Sequence, residues 1–228
     1  MVHATSRSEA MMEWQVAAGG DLLALTNELN AVLDASEADD TISTLLIRLP
    51  LFSGDQSWPD WVAVTEDVSR WERAVFRLER SRLATIALLD GAVGGASLDL
   101  LLATTIRVAK IGAVLYPPVN DGLPWPGMGM FRFARETGVG GARKSLLWGA
   151  SLDMPACLAL NLVDEVTSSL ESTLGAFDER AKISSPTEVS LRWNLIREGG
   201  ASSANDALGM HLAACDRELR RLQLIGSH

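Results

Sequence analysis

Residues 83–103 constrain this chain more than any other stretch. An apolar run, Leu83-Ala-Thr-Ile-Ala-Leu-Leu89, stops at Asp90-Gly91, and Gly94-Gly95-Ala96-Ser97 then pass straight into an apolar helical segment over 98–103. Glycines at a strand exit accept positive φ and let backbones approach closely. The first turn of the helix that follows has amides without intrahelical partners, and these can hold a carbonyl oxygen or a developing anion. A turn that only needs tight packing would use the same glycines, so the local pattern leaves both readings open. Gly-x-x-Gly-Gly is neither the Gly-x-Gly-x-x-Gly of a dinucleotide site nor a loop carrying Gly-Lys-Ser/Thr, which excludes the usual nucleotide-binding turns.

The flanking segments set the layout. Leu22, Leu25, Leu29, Val32 and Leu33 recur at spacings of three and four, which predicts a helix over 21–34. Thr44-Leu-Leu-Ile-Arg-Leu49 reads as a buried strand stopped by Pro50, and the turn-forming residues 52–60 read as the loop leaving it. Val68, Trp71, Val75 and Leu78 predict a second helix over 64–80. Strands that are apolar throughout, separated by helices, indicate a parallel sheet joined by crossovers.

After the glycine turn come a strand over 105–110, a short apolar piece over 113–116 and a rigid loop, Gly122-Leu-Pro-Trp-Pro-Gly127. Helical character returns over 128–136 until Gly138, then over 142–148, then over 151–160 with Pro155 in its first turn, before a short strand over 162–166. From Pro186 the tail reads as helix in pieces, broken at Gly199-Gly200, with Leu208, Leu212, Cys215, Leu219 and Leu222 forming an apolar stripe.

Composition narrows the chemistry. At about 150 residues per domain, 228 residues make one domain or one domain with an appendage. Cys157 and Cys215 are too few for a disulfide scaffold and read as buried thiols in a reducing cytoplasm. A net charge of −9 argues against nucleic-acid binding. No apolar run reaches the roughly 20 residues that span a bilayer, and the polar first ten residues lack a signal-peptide core, so neither a membrane span nor export is expected. The only histidines are His3, His211 and His228, two of them at the termini, so neither a Ser-His-Asp triad nor a histidine-rich metal site is expected. Carboxylates, hydroxyls and backbone amides remain.

In this order, these residues resemble the enoyl-CoA hydratase/isomerase (crotonase) superfamily over about 41–166. Thr85-Ile-Ala-Leu-Leu-Asp-Gly-Ala-Val-Gly-Gly95 resembles its central Ala-Gly-Gly turn, and Thr105-Ile-Arg-Val-Ala109 the strand that follows. Pro124-Trp-Pro-Gly127 with 128–138 resembles its Pro-Gly loop and helix ending in glycine, and residues 148–166 its helix with a leucine and a Val-Asp pair. The resemblance implies an α/β fold, a spiral of βαβ units over 1–180, with a helical segment over 181–228 that packs subunits into a homotrimer or hexamer. Trp71-Glu-Arg-Ala-Val-Phe-Arg-Leu-Glu-Arg80 and Asp121-Gly-Leu-Pro-Trp-Pro-Gly-Met128 further resemble a small divergent branch, the crotonase-like accessory proteins of dihydroxyphenylglycine biosynthesis. That branch assists a type III polyketide synthase in forming 3,5-dihydroxyphenylacetyl-CoA for glycopeptide antibiotics.

Position by position, the resemblance implies two amides that polarise a thioester carbonyl and stabilise the enolate beside it. One falls at Ala96. The other falls in the loop after residues 44–49, at Gly54 with Asp55 as its rival. The family's first catalytic glutamate corresponds to Asp99, a shorter carboxylate with the same acid–base capacity; a carboxylate that only complements the helix dipole would occupy the same place. The second falls at Val119, which cannot carry a proton, with Asn120 and Asp121 as nearby polar groups. Trp58, Trp61 and Trp71 fit an acyl pocket or, more in keeping with their spacing, core closure. Arg80, Arg82, Lys110, Arg132, Arg135, Arg143 and Lys144 include candidates for the phosphates of CoA, although most are expected on solvated faces.

The implied activity is dehydration or enolisation of a CoA-linked polyketide during aromatisation. CoA enters as part of the substrate, an acyl-CoA thioester, and no separate cofactor is expected. The alternative is a catalytically reduced subunit that binds and stimulates a type III polyketide synthase or a related crotonase.

Overall fold

The computed structural model describes residues 10–18, 21–52, 58–59, 64–183, 185–199 and 203–225. Its centre is a five-stranded parallel sheet made of β1 (Met11–Gln15), β2 (Thr44–Arg48), β3 (Ala84–Leu89), β5 (Ile106–Lys110) and β10 (Glu165–Thr167), in the order β1-β2-β3-β5-β10. Between them run α1 (Leu22–Ala38), α2 (Thr65–Glu79) and α3 (Ser97–Ala103). Thr44 pairs with Ala84, and Ile86 with Ile106, so each crossover returns the chain beside the strand it left.

The apolar strands are explained by two covered faces. Leu45, Ile47, Ala87, Leu89 and Ala109 belong to the large core with α1, α2 and α3, whereas Leu46, Ile86, Leu88 and Val108 pack with Leu170 and Leu174 of α6 (Leu170–Ile183). Side chains alternate across a pleated sheet, so a strand buried on both faces has no polar side. The edge strand β1 and the helix α6 are absent from the sequence reading. Met-Met-Glu-Trp-Gln is too mixed to read as a strand by pattern, and α6 has a weak apolar stripe.

A second layer is built from short pieces: β4 (Ala92–Val93), β6 (Val114–Leu115) and β9 (Leu152–Asp153) form a three-stranded sheet, and β7 (Val119–Asn120) and β8 (Leu123–Pro124) a hairpin. The hairpin turns at Asp121 and Gly122, both with positive φ. α4 (Met128–Leu146) bends at Gly138, whose φ of 72° and ψ of 161° are not helical, which fits the stop expected at that glycine. α5 (Met154–Ala159) is capped by Asp153, whose carboxylate accepts the Ala156 amide at 2.9 Å. α7 (Pro186–Gly199) is tied to the core by Ser190 Oγ donating to the Ser81 carbonyl at 2.8 Å, and α8 (Ala204–Ile225) follows.

Two expectations need correcting. Cys157 is buried, and burial pushes its thiol up to about 12, but Cys215 is exposed on α8, whose Leu208, Leu212 and Leu219 also face outward. Arg132 is not on a solvated face: it is 1% exposed, because three carboxylates around it replace water. Among the described residues no helix is long and apolar enough to cross a membrane.

Candidate active site

The glycine turn leaves β3, makes the two residues of β4 and enters α3. Gly95 has φ +57°, and a Cβ on Gly94 would lie 2.8 Å from the Phe52 ring, so both glycines answer to geometry. The amides of Ser97 and Leu98 fold back onto the carbonyls of Gly94 and Gly95, placing Ala96 at the head of the turn. Gly54 and Asp55 lie outside the described residues, as does Trp61. The described residues nearest them both meet the turn: the Phe52 amide donates to the Ala92 carbonyl at 2.8 Å, and Trp58 lies beside Gly95.

Trp58 is fixed from the other side. Asn120 accepts its amide and donates to its carbonyl, each at 2.8 Å, a two-point clasp that also explains why the hairpin carries a polar residue there. The indoles of Trp58 and Trp71 meet edge to face with centroids 5.5 Å apart.

Asp99, in the first turn of α3, is 4% exposed. Trp71 Nε1 donates to its Oδ2 at 3.0 Å, and Arg132 Nη1 lies 3.4 Å from Oδ1. Burial raises its pKa to about 6; the Glu72 carboxylate adds to the rise, while hydrogen bonds from Trp71 and Trp58 and the charge of Arg132 oppose it. Gly129 of α4 allows this approach, since a Cβ there would come 2.7 Å from Oδ1. Asp99 therefore sits where the dipole reading would have it, but in a desolvated pocket that raises its pKa toward neutrality.

An open cleft of about 680 Å³ adjoins this cluster, lined by apolar residues such as Val68, Trp125, Met128 and Phe131 together with Asn120 and Glu72. Trp125 and Met130 also line the narrow void at Asp99, so they stand between that carboxylate and the cleft. Val119 packs against Gly149, a glycine with φ +63°. Glu72 is the residue sequence reasoning missed, and Arg132, a candidate there for the phosphates of CoA, is instead enclosed by three carboxylates. Glu72 falls on the polar side of α2 by its pattern, and nothing in sequence tells that this side faces α4.

Comparison with known proteins decides the family. A protein from Amycolatopsis orientalis named Enoyl-CoA-hydratase is 38% identical over 200 residues, spanning 87% of this chain and 90% of its own length. The chain belongs to the enoyl-CoA hydratase/isomerase superfamily. No family model matches this crotonase. Solved structures agree in fold: an enoyl-CoA hydratase/isomerase family protein from Silicibacter pomeroyi has a TM-score of 0.81 at 17% identity, covering 93% of this crotonase and 96% of that chain. An enoyl-CoA hydratase/isomerase from Marinobacter aquaeolei gives 0.79 at 17% identity over 94% and 90% of the two chains. An enoyl-CoA hydratase from Bacillus anthracis gives 0.76 at 19% identity over 99% and 96%. The expected α/β crotonase fold with a C-terminal helical region is thus established.

Proposed function

We propose that this protein binds an acyl-CoA thioester and promotes enolate formation beside its carbonyl. The observation that carries this is the relative named Enoyl-CoA-hydratase, 38% identical along nearly its whole length. The glycine turn supports it: an amide at Ala96, with Gly54 or Asp55 as the second donor, offers preorganised dipoles of the kind that contribute about 3–4 kcal/mol to a barrier. Asp99 is the carboxylate the resemblance assigns to proton transfer. Its burial behind Trp125 and Met130 sets it back from the cleft.

The finer reading is assistance to a type III polyketide synthase, with dehydration or enolisation of a CoA-linked polyketide during aromatisation to 3,5-dihydroxyphenylacetyl-CoA. The outward-facing leucines of α8 support a homo-oligomer, a trimer or hexamer. Val119 favours a second reading, a catalytically reduced subunit that stimulates the synthase by binding.

One reconstitution separates them. Purified protein is added to a type III synthase with malonyl-CoA, and 3,5-dihydroxyphenylacetyl-CoA is followed. Stimulation by the wild type and its loss in Ala96→Pro, which removes the amide, is the expected result. Equal stimulation by wild type and by Ala96→Pro and Asp99→Asn moves the conclusion to the subunit reading, and no stimulation by the wild type ends the polyketide reading.

A further inference from the structure

The cleft contains one charged side chain among the described residues that line it, Glu72. Its Oε1 accepts the Met128 amide at 3.2 Å at the start of α4, and its Oε2 accepts Arg132 Nη1 at 2.9 Å. The side chain is 19% exposed, compared with 5% for Asp99 and 3% for Glu79, the other carboxylates around Arg132. Glu72 is thus the member of the cluster that meets the cleft.

The cations around the cluster are shared unevenly. Glu79 is served by Arg135 at 3.0 Å and Arg197 at 3.8 Å as well as by Arg132 at 3.5 Å. Asp99 and Glu72 share the same Nη1 of Arg132, whose Nε has no hydrogen-bond partner. One guanidinium nitrogen thus faces two carboxylates, which holds Glu72 and Asp99 in one charged cluster at the edge of the cleft. The anchored oxygens fix the carboxylate against the cleft wall, as positioned acid–base catalysis requires.

We propose that Glu72 is the catalytic base of the cleft, resting on the acyl-CoA reading above: it removes a proton from the carbon next to the thioester carbonyl of an aromatic acyl-CoA. The C–H bond breaks and an O–H bond forms on Glu72. The C–H electron pair becomes the enolate double bond, and the carbonyl π pair moves onto the thioester oxygen. The reverse step returns a proton to carbon, so the cycle needs no co-reactant. Trp125, Met128, Met130 and Phe131 favour an aromatic or other flat apolar acyl group over a charged one.

The test is hydrogen exchange at the methylene of phenylacetyl-CoA in D₂O, followed by proton NMR, beside calorimetric binding of the same thioester. Wild type is expected to bind and to exchange the methylene. Glu72→Gln is expected to bind within about threefold and to lose at least ~100-fold in exchange rate, the range of a general base. Added formate is expected to restore part of the exchange in Glu72→Ala, which a purely structural carboxylate would not show. Undiminished exchange in folded Glu72→Gln and Glu72→Ala overturns the assignment and leaves the acyl-CoA reading intact. A wild type that neither binds nor exchanges overturns both.

Discussion

The indole of Trp71 donates a hydrogen bond of 3.0 Å to Asp99, joining the apolar stripe of α2 to the first turn of α3. A side chain placed to close the core also holds a buried carboxylate whose pKa is raised to about 6. Trp71→Phe keeps most of the apolar contact and removes the donor. A hydrogen bond to a charged group contributes about 1.5–3 kcal/mol, so the variant is expected to lose that much stability at pH 8 in urea titration. Asp99 should also titrate above its present value of about 6, because the Trp71 hydrogen bond lowers it. An unchanged titration by carboxyl-resolved NMR would mean the contact does not bear on Asp99.

Asp99 also sets a pH dependence whose sign can be worked out. Its folded pKa is raised to about 6 from an ordinary 3.8, so the folded state binds the proton more tightly than the unfolded chain does. The unfavourable contribution of the ionised group is fully present above pH 6 and is relieved as pH falls toward 4. The stability of wild type minus that of Asp99→Asn is therefore expected to rise by roughly 2–3 kcal/mol from pH 7 to pH 4, because each pH step of one between the two pKa values is worth about 1.4 kcal/mol. A flat difference across that window would show that burial does not hold the proton on Asp99.

Gly129 is the space Asp99 occupies. Gly129→Ala puts a methyl 2.7 Å from Asp99 Oδ1 and 3.5 Å from a Leu98 methyl, so the carboxylate or α4 must shift. Overpacking of this kind costs about 1–3 kcal/mol. The expected readouts are a lower melting temperature and a changed Asp99 titration, and a variant with wild-type values for both would refute the close packing.

Asn120→Ala removes both hydrogen bonds that clasp the Trp58 backbone. Leaving a partly buried amide and carbonyl unpaired costs about 1–3 kcal/mol. Because Asn120 lines the cleft and Trp58 meets the glycine turn, acyl-CoA affinity is expected to fall several-fold, measured by calorimetry. Affinity equal to wild type would separate this clasp from the binding site.

The parallel sheet and the glycine turn could be read along the chain because their signals are local. Leu45 to Ile47 and Ile86 to Leu89 are apolar at every position, and only a strand covered on both faces needs that. The helices α1 and α2 show their stripes at spacings of three and four. β1 escaped because Met-Met-Glu-Trp-Gln mixes apolar and polar residues and buries only Trp14 fully, and α6 because, among its described side chains, only Leu170, Leu174 and Phe177 meet the sheet's second core. Cys215 was misplaced for a related reason: a helical stripe tells which residues share a face, and says nothing of whether that face is covered.

By itself the sequence determined the run of buried strands and helices from α1 to β5, the glycine turn at Gly94 and Gly95, and one carboxylate, Asp99, in the helix that follows. Periodicity and backbone freedom are properties of neighbours along the chain, so they survive in the sequence. Only the tertiary structure decided that Trp71 and Arg132 enclose Asp99, that Glu72 meets the cleft, and that Val119 packs against Gly149. Those contacts join α2, α3, α4 and the hairpin, elements 28 to 60 residues apart, and their energies depend on desolvation and charge pairing that exist only once the elements have packed.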